Sequence, residues 1–168
     1  MSDSFPTVGI IGAGQLARMS VAPAIDLGIN LLLLAQSPNE SAAQIANHDV
    51  GDYADVDTVL KFSKKCDVVT FEHELIPLSV IKALEAAGVV VRPSSSAFIY
   101  SQDKAQMRQR LSNFPSPKSS VVTTALGITE YPLIAKAISG GYDGRGVWKI
   151  NSEEELSALI AEVGKLLI

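Results

Sequence analysis

The stretch "VGIIGAGQLARM" runs from Val8 to Met19. An apolar run, Val8–Ile11, meets glycine, as a buried strand does where it turns into a helix. Gly12-x-Gly14-x-x-Ala17 has the spacing of the turn that opens many nucleotide-binding α/β sheets. Such a turn offers the free N–H groups of a helix N-terminus to an anion. A dinucleotide site also wants an acidic residue at the end of the second strand, to hold the ribose hydroxyls. Here that strand reads "INLLLLA", Ile29–Ala35, and Ala35, Gln36 and Ser37 bring no carboxylate. Two readings therefore stand ahead of NAD: a tight turn that packs helix on strand, or a seat for a smaller phosphorylated ligand.

The pattern outward from the turn alternates strands and helices. Gln15–Leu27 has helical spacing, with Pro23 expected to kink or shorten it. Asp57–Cys66 reads as a helix, Asp67–Phe71 as a third strand, and Pro77–Ala87 as a helix with proline in its opening turn. Val89–Arg92 reads as a fourth strand. The alternation predicts an α/β fold with a parallel sheet covered on both faces. After Pro93 the character changes. Ser94–Asn113 is polar and helical, Asn113–Ser120 is a Pro/Ser-rich connector, and Val121–Thr124, Leu133–Lys136 and Val147–Ile150 are short strands. Ser152 is placed to cap a last helix whose first turn holds Glu153, Glu154 and Glu155. These shifts put a domain boundary near residue 95, dividing the chain into 1–95 and 96–168.

Bulk properties bound the function. The 168 residues are 47% apolar, enough for a core in one domain or two small ones. The net charge of −4 is dispersed, which argues against a nucleic-acid or membrane-surface partner. Cys66 is the single cysteine, so a reducing compartment fits best. The start "MSDSFPTVGI" does not read as a signal peptide, and no uncharged stretch reaches the ~20 residues of a membrane span. A cytoplasmic protein is expected.

Two further motifs carry chemistry. "TFEHEL" puts Glu72, His73 and Glu74 just past the third strand, at the sheet end where ligand crevices form. An extended backbone there would aim Glu72 and Glu74 to one side, toward sugar hydroxyls or an amine. Three adjacent residues rarely converge on one ion, so a metal is not expected. "GGYDGRG", Gly140–Gly146, lacks Walker A spacing. Its backbone N–H groups can still approach phosphate oxygens closely because no Cβ intervenes. Arg145 adds a cation, and Lys136, at the end of the preceding strand, is within reach of an α- or β-phosphate. A flap over ATP is the functional reading, and a plain hairpin turn the alternative.

"IIGAGQLARM", "DVVTFEHEL", "VRPS", "SQDKAQMRQRL" and "KAISGGYDGRGVW" occur in the order and spacing of the 5-(carboxyamino)imidazole ribonucleotide synthases, the PurK family of ATP-grasp ligases, which the chain resembles from about residue 7 onward. The resemblance implies a Rossmann-like pre-ATP-grasp domain followed by an incomplete ATP-grasp lid subdomain. It implies purine biosynthesis, with ATP and bicarbonate used to carboxylate 5-aminoimidazole ribonucleotide through carboxyphosphate. It gives Lys136 the part of the ATP-binding lysine and Lys104 the place of a nucleotide-binding Arg, a swap that loses the bidentate fork. Gly141, Tyr142, Asp143, Gly144, Arg145 and Gly146 resemble the flap over the triphosphate, with Tyr142 also facing the ribonucleotide. Val147 stands where "GRGQ" has a polar residue. Gln15, Leu16 and Glu72 would line the ribonucleotide site.

Family chains are about twice as long. The resemblance places the Mg²⁺ ligands, the cations for the substrate phosphate and further strands of the lid sheet beyond residue 168. A chain ending there is expected to be inactive alone and to leave the Leu133–Lys136 hairpin with an unpaired edge. The family also suggests a homodimer. A non-catalytic ribonucleotide-binding module is one alternative. Another is a formate-using ribonucleotide ligase, against which Gln15 speaks because those relatives carry "GEL" in place of "GQL".

Overall fold

A computed structural model of the protein describes residues 5–141 and 144–168. The chain divides into two compact units, with the division after Phe98.

The first unit is a parallel sheet of four strands: β1 (Thr7–Ile11), β2 (Asn30–Ala35), β3 (His48–Val50) and β4 (Val68–Phe71), in the order β3-β2-β1-β4. Alternate residues of a strand face opposite sides, and here both sides are covered. Ile10 and Leu33 pack on one side with Ala13, Ala17, Ala42 and Ala43. Ile11, Leu34 and Val69 pack on the other with Val59 and Phe62 of α3 (Val56–Ser63) and Val80, Ile81 and Leu84 of α4 (Leu78–Ala86). This is the α/β fold class expected from the alternation.

Several elements differ from the sequence expectation. The helix expected over Gln15–Leu27 is two, α1 (Gln15–Met19) and α2 (Val21–Asp26). The Ser20 hydroxyl donates to the Leu16 carbonyl, a local bond that competes with the helical ladder. Pro23 then falls in the first turn of α2, where its missing N–H costs nothing. The fourth strand is not Val89–Arg92, which makes only a single bridge, Val91 to Val69. It is β3, a three-residue segment with a polar start that carries no apolar run. Pro77 precedes α4 as its N-cap. Gly9 lies on β1 where a Cβ would meet Cys66 Sγ at 2.5 Å and the Phe62 ring at 2.9 Å. Burial pushes the Cys66 thiol up to about 11, so it packs as a small apolar group.

The segment expected as one helix over Ser94–Asn113 is α5 (Ser95–Gln102) and α6 (Lys104–Arg110), broken at Asp103. The Asp103 carboxylate caps α6 by accepting from Gln106 N at 2.9 Å, and from Gln106 Nε2 at 2.9 Å. The second unit holds an antiparallel sheet of β5 (Val121–Val122), β6 (Leu133–Ala137), β7 (Val147–Ile150) and β8 (Leu166–Leu167), ordered β5-β8-β6-β7. Helix α7 (Glu153–Val163) starts at Ser152, whose hydroxyl accepts from Glu155 N as expected. Leu156 and Leu159 of α7 bury one sheet face against Ala135, Ile150 and Leu166. The expectation of an unpaired edge at Leu133–Lys136 is corrected at its C-terminal end only. Lys136 and Ala137 pair with Leu167 and Leu166, and Val121–Val122 closes the other side of β8. A strand of two leucines gives no periodic signal, and only the tertiary fold reveals it.

Two outcomes follow from this packing. Gly9→Ala forces a methyl into the Cys66–Phe62 contact and should lower the unfolding free energy by about 1–3 kcal/mol; an unchanged urea midpoint would contradict the packing. Glu85 accepts from Ser95 N at 2.7 Å and Ser95 Oγ at 2.6 Å, which holds its carboxyl below the ordinary value. Stability from a lowered carboxylate pKa is present above the unfolded value and lost as pH falls through the folded one. Glu85→Gln should therefore weaken the chain at neutral pH and flatten its acid-side loss, measured as the urea midpoint against pH.

Candidate functional site

Strand β1 ends at Ile11, and the chain turns through Gly12 with φ +109°. The neighbouring β4 ends at Phe71 and delivers Glu72 directly beside that turn, with Glu72 N donating to the Ile11 carbonyl at 3.0 Å. The Glu72 carboxylate accepts from Gly14 N at 2.6 Å, Leu16 N at 3.0 Å and Ala17 N at 3.3 Å. These are the N–H groups that a helix start leaves without partners, and charge-assisted bonds of this kind are the strong ones. The same carboxylate explains the two glycines. A Cβ on Gly12 would stand 2.7 Å from Glu72 Cβ, and one on Gly14 would stand 2.7 Å from Glu72 Oε1.

The sequence reading is corrected in two respects. The turn does not present free N–H groups to a phosphate, because Glu72 already supplies the anion. Nor is the backbone extended through Glu72–Glu74. It bends after Phe71, and Leu75 N donates to His73 Nδ1 at 3.2 Å. The His73 ring lies edge-on to Tyr53, with centroids 5.5 Å apart.

Gln15 and Leu16 do lie with Glu72 in one cluster. Gln15 Oε1 accepts from Ser41 Oγ at 3.4 Å, and Leu16 is 59% exposed. Arg18 Nη1 donates to the Ser41 carbonyl at 2.5 Å, and Ala42 N to the Ala13 carbonyl at 2.7 Å, so the segment after β2 is tied to the turn. The acid of that segment, Glu40, folds back to accept from Gln36 N at 3.3 Å.

The second cluster lies in the second unit. Lys104 N donates to the Ile138 carbonyl at 2.9 Å, and Lys104 Nζ to the Gly141 carbonyl at 3.3 Å. The first residue of α6 thus holds the start of the Gly-rich loop. Lys136 stands in register with Val147 across the base of that loop, and Ala137 N donates to the Gly146 carbonyl at 2.8 Å. Gly144 and Gly146 adopt φ of +82° and +71°, and a Cβ on Gly141 would stand 2.7 Å from the Arg145 carbonyl oxygen. Val147 is 42% exposed. Tyr142 and Asp143 lie outside the described residues. Among the described residues no group of three His, Cys, Asp or Glu side chains is placed to hold a metal, and no helix is long and apolar enough to cross a membrane. The break at Asp103, which sets Lys104 at a helix start, has a local sequence signal in Asp103-x-x-Gln106. The Glu72 contact, 58 residues from Gly14, has none.

Residues 5–102 match the ribonucleotide synthetase preATP-grasp domain. The chain belongs to that family. Members and relatives extend the likeness into the second unit. The chain is 40% identical over 169 residues to the N5-carboxyaminoimidazole ribonucleotide synthase of Corynebacterium ammoniagenes, covering 95% of this chain and 41% of that relative. The Mycobacterium tuberculosis (H37Rv) synthase is 39% identical over 153 residues, 84% of this chain and 35% of its own. The Staphylococcus aureus N5-carboxyaminoimidazole synthetase complexed with ADP superposes with a TM-score of 0.86 at 27% identity, over 98% of this chain and 47% of that one. The Aspergillus clavatus synthase in complex with ADP and 5-aminoimidazole ribonucleotide gives 0.76 at 27% identity, over 98% and 46%. The chain spans less than half the length of these relatives.

Replacing Glu72 with alanine strands the N–H groups of Gly14, Leu16 and Ala17. An unsatisfied, partly buried donor costs about 1–3 kcal/mol, and the loss should appear as a lower urea midpoint with its largest amide-shift changes at Gly12–Ala17. Wild-type stability in Glu72→Ala would mean that the carboxylate does not hold the turn.

Proposed function

We propose that this chain supplies the ribonucleotide-side domain and part of the ATP-covering lid of an ATP-dependent ligase that carboxylates 5-aminoimidazole ribonucleotide, with bicarbonate as the carbon source. The observation that carries the reading is the Lys104–Gly141 contact together with the Lys136–Val147 register. A helix lysine, a strand lysine and a Gly-rich loop share one small unit, as a triphosphate-binding lid requires. The ADP-bound Staphylococcus aureus relative, matched over 98% of this chain, supports it.

The residues fit a nucleotide on their own chemistry. Lys104 is within hydrogen-bond reach of the loop backbone, so its ammonium can follow the loop onto a phosphate oxygen. Lys136 projects from the strand beside it. The glycines at positive φ let backbone N–H groups approach oxygen without a side chain between. Bound ATP supplies the phosphoryl group that activates bicarbonate. Lys104 and Lys136 would hold the phosphates and offset charge that grows during transfer, while the Gly141–Gly146 loop, with Arg145, excludes water. No residue here is assigned to Mg²⁺, which such transfers need for bridging phosphates. In the first unit, Gln15 and Leu16 would meet the ribonucleotide. Glu72, committed to the turn, would shape that site and present whatever acceptor capacity its oxygens retain. A cytoplasmic location and a homodimer, with purine synthesis as the setting, complete the proposal.

Amide shifts in the 168-residue chain test it. ADP should move signals of Lys104, Lys136 and Gly140–Gly146, and Lys136→Ala should weaken that response about tenfold. 5-Aminoimidazole ribonucleotide should move Gln15, Leu16 and Glu72–Glu74 instead. ADP shifts confined to Gly12–Ala17 would contradict the assignment of the two clusters.

A further inference from the structure

The second unit also holds an open cleft of about 770 Å³ between α6 and the segment leading into β5. Its walls include Arg108, Lys118 and Lys165, with Asp103 as the single acid, and the hydroxyls of Ser112 and Ser116. Lys104 and Lys136 are not among its walls. Three cations face one acid in a chain whose net charge is −4.

Three observations show that this charge is unanswered. Arg108 Nε is buried and has no hydrogen-bond partner, and a buried N–H left in that state calls for a missing acceptor. The one acid is already used, because the Asp103 carboxylate accepts from Gln106 N and Gln106 Nε2 to cap α6. Its carboxyl is lowered by those bonds and by Lys165, against the opposing effect of burial, so it is a fixed anion shared between the helix start and one lysine. Finally, the only ion pair among the described residues is Lys65–Asp49, in the other unit. Neither Arg108 nor Lys118 has a carboxylate partner.

We propose that this cleft binds a phosphate-bearing anion, with Arg108 as the central ligand and Lys165 and Lys118 at the rim. Arginine suits the part because its planar fork matches phosphate oxygens and stays charged when partly buried. The cleft volume is that of a small-molecule site, larger than one phosphate needs. The hydroxyls of Ser112 and Ser116 add neutral donors beside the cations. The cleft borders the Lys104–Lys136 cluster, with Asp103 and Ala105 on either side of Lys104 and Leu167 in register with Lys136, but neither lysine lines it and the proposal does not rest on the ATP reading given to them above.

Titration of the 168-residue chain with inorganic pyrophosphate, followed through the Arg108 Nε–H signal and by calorimetry, tests the proposal. Pyrophosphate should shift that signal. Arg108→Gln should weaken the binding reported at Arg108 at least tenfold and Lys165→Gln severalfold, while Lys64→Gln, on an exposed residue of the first unit, leaves it unchanged. Thermal melts of each variant separate lost binding from lost folding, and Lys165→Gln, on an exposed side chain, keeps the test open if Arg108→Gln unfolds. A competition arm with ADP identifies the source: displacement of pyrophosphate assigns the site to a nucleotide's phosphate, and independence assigns it to free phosphate or pyrophosphate. A shift of the Arg108 signal that Lys165→Gln leaves at full strength overturns the proposal, as does an Arg108 signal that pyrophosphate does not move.

Discussion

The carboxylate of Glu72, held by the N–H groups of Gly14, Leu16 and Ala17, organises the first unit. It joins the end of β4 to the turn after β1, so two neighbouring strands share one anchored crevice. It excludes any side chain at Gly12 and Gly14. It also decides what the crevice can bind. A dinucleotide sheet keeps these donors open for a pyrophosphate. Here an internal anion has taken them, and a second anion brought to the same place would meet repulsion and find the Gly14, Leu16 and Ala17 donors occupied. The glycine spacing survives, but its chemistry has been turned inward.

That inversion leaves the crevice without an open phosphate grip at Gly14, Leu16 and Ala17. Gln15 and Leu16 sit on the turn that Glu72 fixes, and the segment after β2 is tied to it through Arg18 and Ala42. The second unit uses the opposite device. Its Gly-rich loop is held at one end by Lys104 and at the other by the β6–β7 ladder; Gly140 and Gly144 face open space, while Gly141 and Gly146 are packed against the loop and β6. The first glycine motif is packed shut, and the second is open at Gly140 and Gly144.

The sequence makes the fold class readable because β1, β2 and β4 are apolar runs long enough to show, and because Gly12 marks the first turn. Helix α7 announces itself through Ser152 at its start, whereas the Asp55 cap that starts α3 two residues before the expected Asp57 is seen only in the structure. What stays hidden has no local signal. His48–Val50 is a strand only because β2 lies beside it, and Leu166–Leu167 only because Lys136 and Val122 flank it. Val89–Arg92 has the composition of a strand but touches the sheet at one residue. For the site, the residue types near the crevice were legible, and Gln15, Leu16 and Glu72 do cluster. The role of Glu72 was not, since a contact across 58 residues depends on which strands are neighbours.

The most direct test of this account is the NMR scalar coupling between the Gly14 amide nitrogen and the Glu72 carboxyl carbon across their hydrogen bond. The account predicts a resolved coupling, with the Gly14 proton at low field. A Gly14 amide with no coupling to the Glu72 carboxyl and an ordinary proton shift would contradict it.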